Sequence, residues 1–212
     1  MCTAVSIGPF KAKRDAAISN IAHQNPHGGD GCGACYTSGQ LSTSSDLFVY
    51  GDSPHVMTAI PTFLNGVSFI RTANTKGAVR SNLVATLVDN QNNPEYLCFD
   101  IDVESTVYVL YDSRAYSLPD WLSATYTDRN EQATAYRAAC NDCDLGNGYG
   151  GQTAEEYVPF DIYYAFMPAG RVCMGGDDME TSNLNYFVAV GPASRAGAGV
   201  PCSHVLASLV RV

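Results

Sequence analysis

From residue 46 onward the chain alternates short runs of Val, Ile, Tyr, Phe and Thr with clusters of Gly, Pro, Asn and Asp. Such runs are typical of β-strands, and the clusters between them are typical of turns. Because no amphipathic helices intervene, we expect an all-β fold, an antiparallel β-sandwich of the jelly-roll type, rather than a βαβ fold. The predicted strands are residues 47–50, 67–71, 83–88, 97–103, 106–111, 160–166, 170–174, 186–190 and 205–212.

The strand predicted at residues 106–111 is apolar at both of its alternating sets of positions. A strand of that kind is buried on both faces, so we expect it at the centre of its sheet. Residues 118–122 predict a turn, and we expect the single tryptophan, Trp121, to pack over the sheet as part of the core.

Two segments depart from the strand-and-turn pattern. Residues 1–45 are predicted to be an N-terminal arm attached to a sandwich domain at 46–212. Small apolar side chains at 16–22 predict a short helical face in the arm, which is too weak to be stable without a partner surface. Residues 123–158 are a polar insertion containing Cys and Gly clusters, in which no strand is predicted. An ordered segment of that length needs a covalent staple or a function.

Composition and charge exclude several classes of function. The chain has 212 residues, of which 46% are hydrophobic and 16% charged, as in a globular protein. The formal charge of −9 argues against binding to nucleic acid or to an anionic membrane surface. The apolar runs are far shorter than the roughly 20 residues that span a bilayer, so no membrane span is expected. Residues 1–10 lack the basic and apolar blocks of an export signal.

The eight cysteines suit complete disulfide pairing, although their spacing selects no connectivity. Two pairs, Cys32 with Cys35 and Cys140 with Cys143, have the CxxC spacing that also suits a tetrahedral zinc site. Because the chain is acidic, poor in Lys and rich in Tyr, we favour disulfides and an extracellular or cell-surface location over a zinc-stapled intracellular domain. The candidates are Cys2, Cys32, Cys35, Cys98, Cys140, Cys143, Cys173 and Cys202.

No motif points to catalysis. Gly146, Gly148 and Gly151 match a dinucleotide-binding motif by letter, but no buried strand precedes them. Asp100 and Asp102 would project from one face of a strand, as paired glycosidase carboxylates can, but the polar outer face of a sheet is the preferred interpretation. We therefore expect neither enzyme activity nor a cofactor. Calcium remains an alternative at two groups of oxygen-bearing residues: Asp142, Asp144 and Asn147, and Asp177, Asp178 and Glu180.

Several stretches resemble a β-sandwich module of secreted and cell-surface proteins that is often linked to polysaccharide-active enzymes. The resemblance lies in VYVLYDSRAYSLPDWL at 107–122, in FDIYYAFMPAGRVCMGG at 160–176, and in the shorter matches at 65–74 and 186–190. It implies a β-sandwich fold and an extracellular setting, and it implies no catalytic or ligand residues. The arm and the insertion depart from the module.

Two functions follow as hypotheses. In the first, the protein is an extracellular structural subunit that assembles with copies of itself into a fibre. The arm would add a strand or short helix to a neighbouring sandwich, with Val5, Ile7, Phe10, Ile18 and Ile21 at the interface. Deleting residues 1–22 should then leave folded monomers.

The alternative function is a carbohydrate-binding module, because sugar rings stack on exposed aromatic side chains. The thirteen tyrosines are concentrated in the middle of the chain. The predicted platform is Tyr116, Trp121 and Tyr126, or else the tyrosines of residues 149–164, and the partner would be a polysaccharide.

Overall fold

The computed structural model describes residues 16–23, 35–44, 47–51, 53–73, 94–137, 155–176 and 184–193. The fold is all-β, as predicted, and the described residues contain one short helix, α1 (Asp120–Thr125), and a 3-10 turn at Thr62–Leu64. The described strands are β1 (Ile18–His23), β2 (Thr37–Gln40), β3 (His55–Ala59), β4 (Ser68–Arg71), β5 (Leu97–Ile101), β6 (Ser105–Asp112), β7 (Thr127–Arg137), β8 (Glu156–Met167), β9 (Gly170–Met174) and β10 (Phe187–Pro192).

These strands form two antiparallel sheets. The larger has the order β2-β4-β10-β6-β8-β7-β3, and the smaller has the order β1-β5-β9. The sheets curl into a half-barrel. We call the face of the large sheet that packs on the small sheet the sandwich face, and the other the opposite face.

A first hydrophobic core lies between the two sheets. The sandwich face contributes Val107 and Val109 of β6, and the small sheet contributes Leu97 and Phe99 of β5. Trp121 of α1 packs against the same cluster, which confirms its predicted place over the sheet. Because apolar burial stabilises in proportion to area, this cluster holds the two sheets together.

A second core covers the opposite face of the large sheet. It contains Leu110, Phe160 and Phe187, all fully buried. Residues 47–50 and the turn at Thr62–Leu64 close it from outside, with Val49 and Leu64 inside the cluster. With a core on each side, the centre of the large sheet is buried on both faces.

Strand β6 confirms the prediction of a central strand buried on both faces. It pairs with β10 on one side and β8 on the other, and all eight of its residues are buried. Val107, Val109 and Tyr111 point into the first core, whereas Tyr108 and Leu110 point into the second.

Other predicted strands have mixed outcomes. Strand β9 has the predicted bounds, and β4, β5, β6, β8 and β10 overlap their predicted ranges. Residues 47–50 make only isolated bridges, from Phe48 to Val56 and from Tyr50 to Thr72. The strands predicted at 83–88 and 205–212 lie outside the described residues.

The prediction of a helical face at residues 16–22 is wrong. Residues 18–23 form β1, which pairs with β5 through a register shift between Ser19 and Ala22. Asn20 in that shift has φ 48°, a left-handed conformation that Asn tolerates better than most residues. The neighbouring sheet therefore overrides the weak helical periodicity.

The prediction that residues 123–158 form an insertion without strands is also wrong for part of that range. Residues 120–125 form α1, and residues 127–137 form β7, which pairs with β8. The buried positions of β7 are the small residues Ala133 and Ala135. Their side chains give almost no hydrophobic alternation, which explains why the strand is missed from sequence.

Candidate functional site

An exposed pair of tyrosines lies on the sandwich face, at the end of the β7–β8 ladder. Tyr136 of β7 is directly opposite Tyr157 of β8. Their ring centres are 4.8 Å apart and the ring planes are inclined at 40°. Tyr157 is 67% exposed, and Tyr136 is partly buried. We call these two residues the tyrosine pair.

Strand periodicity explains why the pair faces solvent. Successive side chains of a strand point to opposite faces, so Val158 of β8 and Ala135 of β7 enter the second core while the tyrosines point away from it. Residues directly opposite in an antiparallel ladder share a face and are close enough to pack. The small sheet covers this face only near the other end of β8, at Tyr163, Ala165 and Met167.

The tyrosine pair continues into an apolar row across the neighbouring strands. Val56 of β3 is opposite Tyr136 in register, and Phe48 forms an isolated bridge with Val56. The four side chains therefore share one face of the sheet. The row runs across the strands, from Phe48 to Tyr157.

Polar groups surround the pair. The Tyr136 hydroxyl donates a hydrogen bond to the Glu155 carboxylate, and the pKa of Tyr136 is raised, first by desolvation and then by that hydrogen bond. Farther along the ladder, Gln132 Nε2 donates to Asp161 Oδ1 at 2.8 Å. The Glu155 carboxylate beside the pair, and the amide and carboxylate farther along the ladder, are groups that can bind sugar hydroxyls.

An ionic network lies on the opposite face, behind the pair. Arg137 and Glu156 are opposite each other in register and pair at 3.2 Å. Glu156 also pairs with Arg114, whose guanidinium lies 2.6 Å from the buried Asp112 carboxylate. The Leu184 N–H donates to the same carboxylate at 2.8 Å. Hydrogen bonds from Arg114 to Asp112, and then to Glu156, raise the pKa of Arg114. This network fixes the strand ends that carry the pair.

His55 of β3 belongs to the same buried region. It is opposite Arg137 in register, and its Nδ1 lies 2.8 Å from Ser53 Oγ. Its Nε2 has no hydrogen-bond partner among the described residues. Burial lowers the pKa of His55 to about 3, and the positive charges of Arg137 and Arg114 contribute to the shift. His55 is therefore neutral and structural at physiological pH.

A second aromatic group lies on the opposite face, near the far ends of β6 and β8. The Arg129 guanidinium lies 3.9 Å from the centre of the Phe63 ring and 5.8 Å from that of Tyr164. Phe166, which is 47% exposed, packs edge-on against Tyr164. Because the cation occupies a face of the Phe63 ring, this group is less open to a sugar than the tyrosine pair.

The predicted platform of Tyr116, Trp121 and Tyr126 does not form one exposed surface. Tyr116 is 85% exposed, but Tyr126 is buried and its ring is not available to a glycan. The Trp121 ring packs against Tyr126 and Tyr186, with centroids 5.9 and 5.3 Å away. Trp121 Nε1 donates to the Gly176 carbonyl at 2.8 Å. Of the predicted alternative region, Tyr149 lies outside the described residues, whereas Tyr157 belongs to the pair.

The predicted subunit interface is described only in part. Ile18 and Ile21 lie on β1 and pack against the first core of their own chain. Val5, Ile7 and Phe10 lie outside the described residues.

The predicted polar sheet face at Asp100 is observed. Asn20 Nδ2 donates to Asp100 at 2.6 Å, and Arg171 pairs with it at 3.3 Å. These contacts, the Asn20 hydrogen bond first, lower the pKa of Asp100. Asp102 accepts a hydrogen bond from the Ala17 N–H at 2.8 Å. The two carboxylates therefore bind other parts of the protein.

The described cysteines fit the disulfide prediction. Cys98 of β5 and Cys173 of β9 are directly opposite and form a disulfide, with Cα atoms 4.1 Å apart. Cys35 is disulfide-bonded as well, which leaves its thiolate unavailable to zinc. The other predicted disulfide cysteines, Cys2, Cys32, Cys140, Cys143 and Cys202, lie outside the described residues.

The metal and cofactor expectations stay predictions. No cluster of three or more His, Cys, Asp or Glu side chains that could hold a metal occurs within the described ranges. The calcium candidates Asp142, Asp144 and Asn147, and Asp177, Asp178 and Glu180, all lie outside them, as do Gly146, Gly148 and Gly151. Within the described chain, no helix has both the length and the apolar character needed to cross a bilayer.

Comparison with known proteins supports the fold. No protein-family model matches the chain, and no curated protein matches it in sequence. Among solved structures, the chain is similar to a β-glucuronidase from glycoside hydrolase family 2, with a TM-score of 0.55 and 18% identity. The match covers 83% of this chain and 15% of that chain. At this identity the likeness concerns the β-sandwich fold alone.

Proposed function

We propose that this protein is an extracellular carbohydrate-binding β-sandwich module that binds a glycan chain through Tyr136 and Tyr157 and catalyses no reaction. The observation that supports the proposal is the tyrosine pair itself. A solvent-facing aromatic pair with an adjacent carboxylate, Glu155, matches the chemistry of a sugar, which has apolar C–H faces and a polar rim. The Cys98–Cys173 disulfide is compatible with an extracellular protein.

The structural likeness favours this function over the fibre. The similar solved structure is a glycoside hydrolase, and this chain corresponds to a small part of its length. A sandwich domain within a carbohydrate-active enzyme is a natural context for glycan binding. The fibre hypothesis stays a prediction, and within the described residues Ile18 and Ile21 of its interface are partly buried against their own domain.

Binding to polysaccharides tests the proposal. The purified, oxidised protein is run through native gels that contain a soluble polysaccharide and is mixed with insoluble ones. Retention should occur with at least one polysaccharide. It should fall about tenfold in Tyr157→Ala or Tyr136→Ala, because an aromatic contact contributes about 0.5–1.5 kcal/mol beyond its buried area.

Tyr116→Ala is the matched control. Tyr116 is 85% exposed and lies outside the pair, so its removal should leave retention unchanged. Equal losses in Tyr116→Ala and Tyr157→Ala, or no retention on any polysaccharide, would overturn the proposal.

A further inference from the structure

The two rings of the tyrosine pair do not form a flat surface. Their planes are inclined at 40° although their centres are only 4.8 Å apart. Tyr157 stands farther into solvent, since it is 67% exposed while Tyr136 is partly buried. A planar crystalline polysaccharide surface can therefore lie flat on one ring at a time. A free glycan chain can rotate about its linkages, so that successive sugar rings follow both tyrosines.

Among the described residues, the charged groups that lie near the pair on its own face are carboxylates. Glu155 accepts a hydrogen bond from the Tyr136 hydroxyl, and Asp161 lies on the same face of β8. Between the pair and the Gln132–Asp161 hydrogen bond, the described residues that share this face include Val56, Gln132, Thr134, Tyr136, Tyr157, Pro159 and Asp161, and none of these is Lys or Arg.

Two arginines behind the pair, Arg114 and Arg137, do not neutralise the Glu155 and Asp161 carboxylates. Arg137 and Arg114 pair with Glu156 on the opposite face. Among the described residues of the pair's own face, carboxylates on a glycan would thus meet like charges and no cation, which is unfavourable at low ionic strength.

We infer that the tyrosine pair binds a single soluble glycan chain without carboxylates, and neither a crystalline polysaccharide surface nor a polyuronate. The inference rests on the proposed function and adds the class of ligand to it. The chain would lie across the strands, because the line that joins the two ring centres runs from β7 to β8.

The test compares three classes of polysaccharide at low ionic strength. Native gels contain hydroxyethyl cellulose, galactomannan or soluble starch as neutral chains, or polygalacturonate as the anionic chain. Microcrystalline cellulose and chitin are used in pull-down. We expect at least one neutral gel to retard the protein, with the retardation lost in Tyr157→Ala and kept in Tyr116→Ala. We expect no retardation by polygalacturonate and no depletion by the crystalline solids.

The outcomes separate the inference from the proposed function. Binding to polygalacturonate or to a crystalline solid that depends on Tyr157 and equals or exceeds binding to the neutral chains would overturn the inference and leave glycan binding intact. No binding to any of the probes would overturn both.

Glu155→Gln tests the charge argument separately. The glutamine keeps a hydrogen-bond acceptor for the Tyr136 hydroxyl but removes the negative charge. Retardation by polygalacturonate should increase in this variant, while retardation by the neutral chain should change by less than about twofold. A loss of neutral binding without any gain for polygalacturonate would overturn the exclusion of anionic chains by charge.

Discussion

The two faces of the β7–β8 ladder use neighbouring residues in different ways. On the opposite face, Glu156 belongs to an ionic network and Phe160 is fully buried. On the sandwich face, Tyr157 between them is exposed. The alternation of strand side chains thus puts residues that stabilise the fold beside residues that are free to bind a ligand. Stability and binding should therefore separate residue by residue along β8.

The largest effect on stability is expected at Phe160. It is fully buried in the second core and packs against Phe187, with ring centres 5.3 Å apart. Phe160→Ala should lower the free energy of unfolding by about 3–5 kcal/mol, because it removes buried apolar surface and leaves a cavity. Urea denaturation at neutral pH measures this loss. A change below about 1 kcal/mol, the size expected of an exposed site, would contradict the burial of this face.

Acid should destabilise the fold through His55. Burial lowers its pKa from 6.5 to about 3 in the folded state, so between these pH values the unfolded chain binds a proton that the folded chain does not. The contribution of neutral His55 to the free energy of unfolding is therefore fully present above pH 6.5. It decreases as the pH falls toward 3, by at most about 1.4 kcal/mol per pH unit.

Urea denaturation across this pH range, for the wild type and for His55→Gln, tests the effect. The variant should be less stable at pH 7, since Gln replaces a well-packed ring, but its stability should depend less on pH. A smaller slope of the same sign remains from His23, whose pKa is also lowered by burial, and, near the acid end of the range, from Asp100, whose pKa is lowered by its hydrogen bonds. Equal slopes in the two proteins would exclude His55 as the source.

A smaller effect is expected for the ionic network. Glu156→Gln weakens the contacts of Glu156 with Arg114 and Arg137 and should lower stability by about 1 kcal/mol, because these side chains are partly solvated. Glu155→Gln is the matched control, since Glu155 is the preceding residue and is exposed. Thermal unfolding of both variants should show a lower midpoint for Glu156→Gln only.

The smallest effect on stability is expected at Tyr157. Tyr157→Ala removes an exposed ring whose described aromatic contact is with Tyr136. It should change the free energy of unfolding by less than about 1 kcal/mol. A loss comparable to that of Phe160→Ala would show that Tyr157 stabilises the fold rather than serving as a free surface.

The central part of the fold is predictable from sequence, because burial on both faces makes residues 105–111 of β6 apolar or weakly polar. Strand β9 is predictable because turn residues bound it on both sides. Strand β7 is not, since its buried positions are alanines and its other positions are polar. Residues 18–23 are not predictable as a strand either. Their conformation depends on pairing with β5, which is distant from them in sequence.

The candidate site shows a related limit. The concentration of tyrosines within residues 149–164 is visible in the sequence, and Tyr157 lies there. Its partner Tyr136 comes from a strand that the sequence does not reveal, and the pairing depends on the register of β7 against β8. Conversely, Trp121 fits both the core and the platform predictions, and the fold places it in the core, where the absent side chain of Gly175 leaves room for its ring and the Gly176 carbonyl accepts its hydrogen bond.

The most direct measurement is the retention of a Tyr136→Ala/Tyr157→Ala double variant on the polysaccharide that retains the wild type, with thermal unfolding recorded on the same samples. Glycan binding through the tyrosine pair predicts that retention is lost while the unfolding midpoint changes little. Full retention by a folded double variant would contradict it.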